Sequence, residues 1–112
     1  MKKKKSKWVE VGTIGVDAGL CWVGDPCYIL HKKTPPKSLG KDWNGFCDII
    51  GGKDMKSFSY DLGHEGLGVC VSTGYGDGCY PVHALIKDGR VAGIVVDFQI
   101  EKMGKLFRKL LK

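Results

Sequence analysis

The run Cys79-Tyr80-Pro81-Val82-His83-Ala84-Leu85-Ile86-Lys87-Asp88-Gly89-Arg90-Val91-Ala92-Gly93-Ile94-Val95-Val96 decides the fold class. Two stretches rich in Val and Ile flank the dipeptide Asp88-Gly89. Such a dipeptide accepts the positive φ angles of a type I′ turn, whose twist matches that of paired strands. The run therefore predicts a β-hairpin with strands over 79–87 and 90–100.

Working outward, residues 67–73 read as a buried strand and 55–60 alternate in the two-residue period of a half-buried one. Shorter extended runs are expected at 7–11, 13–16, 20–23, 27–31 and 46–50. Asp17-Ala18-Gly19, Gly51-Gly52-Lys53-Asp54 and residues 61–66 carry turn chemistry. Residues 32–45 form the longest polar, breaker-rich stretch, with room for one short helical turn over 38–43. Beyond Ile100 the period changes. Met103, Leu106, Phe107, Leu110 and Leu111 fall on one helical stripe, with Lys102, Lys105, Arg108, Lys109 and Lys112 off it. The expectation is a mainly β chain: a single antiparallel barrel or sandwich of seven or eight strands over 8–100. A basic tail, 1–7, precedes it and a C-terminal amphipathic helix, 101–112, follows it.

The composition narrows the function. With 112 residues there is room for one modest core. Glycine, at 17 residues, is about twice average usage, while proline, at 4, is ordinary. That pairing fits tight turns between short strands. The formal charge of +6 resides in the two ends, and residues 8–100 carry about −3. A nucleic-acid binder concentrates basic side chains on its docking face, so the charge pattern argues against nucleic acid. No stretch reaches the length of a membrane span. The lysine-rich start has no apolar segment after it, which predicts a cytoplasmic location. Five cysteines without Cys-x-x-Cys read as free thiols and give no metal-site spacing.

One pattern recurs: Gly24-Asp25-Pro26-Cys27-Tyr28-Ile29-Leu30-His31 and Gly76-Asp77-Gly78-Cys79-Tyr80-Pro81-Val82-His83. Each copy sets a turn before a thiol, a phenol and an imidazole. In an extended strand the Cys and His of one copy stand roughly 13 Å apart, too far to share a metal. A site joining both copies, or a Cys–His nucleophile pair, is compatible with the residues but is not demanded by them. The stronger candidate is Ser72-Thr73-Gly74-Tyr75-Gly76-Asp77-Gly78. Its alternating glycines let backbone approach a ligand, and successive N–H groups can form an anion nest. It is neither a P-loop nor a dinucleotide fingerprint, and no cofactor is expected.

These residues also carry a resemblance. Asp25-Pro26-Cys27-Tyr28, Leu62-Gly63-His64, Gly68-Val69 and Ser72-Thr73-Gly74-Tyr75-Gly76-Asp77-Gly78-Cys79-Tyr80-Pro81-Val82 resemble small uncharacterised bacterial and phage proteins of the domain-of-unknown-function family numbered 4241. The resemblance spans residues 17–98. It implies a bacterial or phage context and transfers no activity.

The expected function is non-enzymatic binding of a small, nucleotide-like ligand where the two corners meet. Asp25, Tyr28, His64, Ser72, Thr73, Gly74, Tyr75, Gly76, Asp77, Gly78 and Tyr80 are the expected contacts. The alternatives are a hydrolase or lyase using Asp, His or Cys of the same corners, and an immunity or inhibitor module that binds a host protein. A homo-oligomer is expected.

Overall fold

The structure is a computed structural model and describes residues 6–30 and 35–100. The chain is mainly β, with two antiparallel three-stranded sheets. The described residues divide into two compact units, 6–18 with 75–100, and 19–30 with 35–74. Six strands are present among them rather than seven or eight. Neither sheet closes into a barrel, because each has two outer strands. The expected C-terminal helix, 101–112, lies outside the described residues.

In the first unit the order is β1-β5-β6, with β1 Ser6–Val16, β5 Gly78–Lys87 and β6 Arg90–Val96. The hairpin forms as its sequence predicts: Asp88 and Gly89 take φ of 55° and 74°, the paired positive values of a type I′ turn. The expected separate strands 7–11 and 13–16 are one strand, β1. It crosses Gly12 by a bulge between Glu10 and Gly12, which leaves Val11 unpaired and exposed. β6 stops at Val96, short of the expected 100. The Asp97 carboxylate accepts from the Ile100 N–H, and the Asp97 N–H donates to Pro81 O. This early stop also accommodates Pro81. β6 ends opposite Val82, so at Pro81 the central strand has a ladder to β1 alone. A residue without an N–H is tolerated there. Val16, Tyr80 and Ala84 are the buried apolar side chains of this unit.

In the second unit the order is β2-β4-β3, with β2 Leu20–Gly24, β3 Met55–Ser59 and β4 Glu65–Ser72. Trp22, Cys70 and Lys56 share one row across it, and Gly24, Gly68 and Phe58 the next row but one, on the same face. Directly opposed residues of antiparallel strands point to one face, so Trp22 and Phe58 lie on the same side.

Helix α2, Trp43–Ile50, packs Phe46, Ile49 and Ile50 onto that side. Phe46 stacks on Phe58 at 5.4 Å, and Trp22 meets Phe58 at 5.4 Å. This aromatic layer is the main core of the unit, closed by Leu67 and Cys70. Residues 46–50, expected as a strand, belong to α2, Trp43–Ile50. The reason is legible once the run is started at Trp43. Trp43, Phe46, Cys47 and Ile50 fall at i, i+3, i+4, i+7, a helical stripe. Asp42 caps the start through Gly45 N at 2.8 Å, and Gly51, with φ 54°, closes the end.

The first copy of the octapeptide is corrected too. Expected as extended over 27–31, it forms a single helical turn, α1, Cys27–Leu30. Asp25 Oδ1 accepts from Cys27 N, and Pro26 O accepts from Ile29 N and Leu30 N. Pro26 has the fixed φ suited to a first helical position. The second copy cannot do the same. Pro81 stands where Ile29 stands and has no N–H to donate, so that copy runs straight into β5. His31 lies outside the described residues, and the strand-based separation argued for Cys27 and His31 no longer applies.

Candidate functional site

The second unit carries an open cleft of about 420 Å³ lined by Tyr28, Pro36, Tyr60, Asp61, Leu62, His64 and Leu67. Three chain segments build it. α1 supplies Tyr28. Residues 35–39 supply Pro36, in polyproline-like geometry (φ −53°, ψ 144°) at the head of a 3₁₀ turn, Lys37–Leu39. The β3–β4 loop and the start of β4 supply the rest.

The loop is held by its own backbone: Tyr60 N donates to His64 O at 2.7 Å and Gly63 N to Tyr60 O at 2.8 Å. Gly63, at φ 89°, supplies the left-handed residue that the reversal needs. Two further bonds tie the 3₁₀ turn to this loop and to the end of β3. Asp61 Oδ1 accepts from Lys37 N at 2.7 Å, and Ser38 Oγ donates to Ser59 O at 2.6 Å. The cleft walls are therefore cross-braced between segments distant in sequence.

Tyr28 and Tyr60 meet edge to face, with ring centroids 4.9 Å apart. Their hydroxyls interact as well. The hydrogen bond to Tyr28 pushes the Tyr60 pKa above the usual phenol value, with burial and the charge of nearby Asp25 acting in the same direction. Leu62, Leu67 and Pro36 make the remaining wall apolar. Asp61 is the one acidic lining residue, and no Lys or Arg lines the cleft among the described residues.

The expected contacts are placed as follows. Tyr28 and His64 share the cleft, and Asp25 stands close enough to act on Tyr60 while capping α1. Ser72, Thr73 and Gly74 lie in the same unit and make a turn: Ser72 Oγ accepts from Gly74 N at 3.3 Å, and buried Thr73 donates its N–H to Gly19 O. Tyr75, Gly76, Asp77, Gly78 and Tyr80 belong to the other unit. There Tyr80 is buried, packs edge to face on Phe98 at 5.1 Å and donates from Oη to Gly76 O at 2.8 Å. Tyr75 and Asp77 are exposed.

Sequence reasoning missed Pro36, Tyr60, Asp61, Leu62 and Leu67. The local signals existed in Pro35-Pro36 and in Tyr60-Asp61-Leu62 beside His64. Their convergence depends on the pairing of β3 with β4, which no local pattern encodes.

The thiols divide by environment. Cys21 and Cys70 are buried, and burial pushes both up, with Cys21 adding to the shift at Cys70. A thiol held protonated is a poor nucleophile. Cys27 and Cys79 are exposed. Among the described residues no three His, Cys, Asp or Glu side chains cluster as a metal site, and no helix is long and apolar enough to cross a membrane. No protein-family model, curated protein or solved structure matches the chain.

Proposed function

We propose that the chain is a small non-enzymatic binding protein whose ligand seat is the Tyr28–Tyr60–His64 cleft. The carrying observation is the edge-to-face tyrosine pair in a largely apolar recess, with Asp61 and His64 as its polar lining side chains. Small-molecule seats have this composition: apolar and aromatic walls with a few polar groups that fix orientation. Asp61 without a lining cation disfavours a bare phosphate and favours a planar ring with hydrogen-bond donors. A nucleotide-like ligand then enters by its base, with the phosphates directed to solvent. The kinship with the family numbered 4241 and a phage or bacterial origin belong to the same proposal.

The test uses protein taken directly from cells. Excess absorbance near 260 nm that denaturation releases is expected, together with a thermal shift on adding nucleosides or nucleotides. Tyr60→Ala is expected to weaken binding by roughly tenfold or more, from the loss of one stacking surface worth about 1–3 kcal/mol. A clean protein spectrum with no shift across the panel sinks the proposal.

A further inference from the structure

β6 is an outer strand, and among the described residues no strand pairs with its free side. A free edge is a row of N–H and C=O groups without sheet partners, and stable proteins blunt it with charge, proline, bulges or shortness. The other outer strands carry such devices. β1 bears Lys7 and Glu10 and kinks at its bulge. β3 is five residues long and bears Lys56, and β2 is five residues long and ends in Gly24. β6 differs. After Arg90 it reads Val-Ala-Gly-Ile-Val-Val, with no charge and no proline. Its irregularity lies beside the hairpin turn, between the Ile86–Val91 and Leu85–Gly93 pairs, and leaves 93–96 in regular register. Val91 is 65% exposed and Ile94 53% exposed.

We propose that the free edge of β6 pairs antiparallel with β6 of a second copy of this chain, joining two three-stranded sheets into one of six strands. A twofold axis lays a strand antiparallel beside itself, so one surface serves both partners. The uncharged edge places no like charges against each other over 91–96. Face parity is also kept. Ile94 shares a row with Ala84 and Val9. An axis through Ile94 sets it opposite Ile94 of the second copy and sets Ala92 opposite Val96, so each face continues across the junction. A different protein would need a strand matched to an edge that offers no charged side chain for selection; the same strand needs no further feature. This surface lies in the unit that does not hold the cleft, so the two proposals fail independently.

The test is the solution mass of the full chain by sedimentation or light scattering across low to high micromolar concentration. Twice the 12.3 kDa chain mass is expected at the upper end. Ile94→Lys opposes two ammonium groups across the axis and is expected to raise the dimer dissociation constant by roughly tenfold or more. Ile94→Glu, which opposes two carboxylates across the same axis, is expected to act in the same direction. Val69→Lys, an exposed position on the other sheet, is expected to leave the mass unchanged. A wild-type monomer at every concentration, or a dimer untouched by both Ile94→Lys and Ile94→Glu, overturns the proposal. If the Ile94 variants lose their circular dichroism, hydrogen exchange of the wild type decides. Amides within 92–96 are expected to gain protection as concentration rises, and exchange independent of concentration overturns the pairing.

Discussion

Trp22 lies flat over Gly68: a β-carbon at Gly68 would stand 2.1 Å from Trp22 Cζ2. The aromatic layer behind it, Phe46 and Phe58, leaves the indole little room to retreat. Gly68→Ala is therefore expected to cost about 1–3 kcal/mol, read from the denaturant midpoint and from the tryptophan emission. Gly15→Ala, with nothing within 4 Å of the added atom, is expected to stay within about 0.5 kcal/mol.

The cysteines make a second prediction. Thiol titration of the native chain should find Cys27 and Cys79 at once and Cys21 and Cys70 only on unfolding. The raised pKa of the buried pair also sets a pH dependence. These thiols stay protonated in the fold while those of the unfolded chain ionise. Stability is therefore unaffected well below the ordinary thiol value of 9.0 and falls as pH rises through it. Denaturant midpoints across that range check the sign, and Cys21→Ala is expected to flatten part of the decline.

Among the elements, the two octapeptide copies show how far a shared pattern reaches. Gly-Asp and Cys-Tyr are common to both, yet α1 is a helical turn and the start of β5 is extended. The difference rests on which position holds proline. Ile29→Pro is expected to remove the Ile29 N–H bond to Pro26 O, displace Tyr28 and weaken ligand binding at the cleft, with little change in the sheets by circular dichroism. Asp42→Ala removes the cap of α2 and is expected to cost about 1 kcal/mol.

The same elements show what the sequence discloses. The β5–β6 hairpin was legible because Asp88-Gly89 specifies its turn chemically. β3 and β4 were legible because alternation and apolar runs survive in them. α2 was misread because its stripe begins at Trp43, within a stretch dominated by breakers. α1 was misread because its four residues are too few to show a helical period. Tyr28 and His64 were found as candidates, but Pro36 and Tyr60 reach the same cleft only through tertiary pairing, to which periodicity is blind.

At the level of the whole chain, the units differ in how their residues are drawn. Residues 19–74 form the second unit from one continuous segment, whereas the first needs β1 and β5 from opposite ends of it. Pairing distant segments requires closing a long loop before any contact rewards it. Pulse-labelled hydrogen exchange is expected to protect β3–β4 amides before those of β1–β5. Simultaneous protection would refute the order.

The β1–β5 ladder ends with Val16 opposite Gly78, and this gives the first unit the character of a host with an inserted guest. Everything between those two residues departs and returns at one end of a single antiparallel ladder. Joining 18 to 75 through a short reverse turn would turn the ladder into an ordinary hairpin and leave a three-stranded meander. The excised guest would keep the cleft intact. The architecture thus offers a natural seam, along which another module could be exchanged without redesigning the β1-β5-β6 sheet.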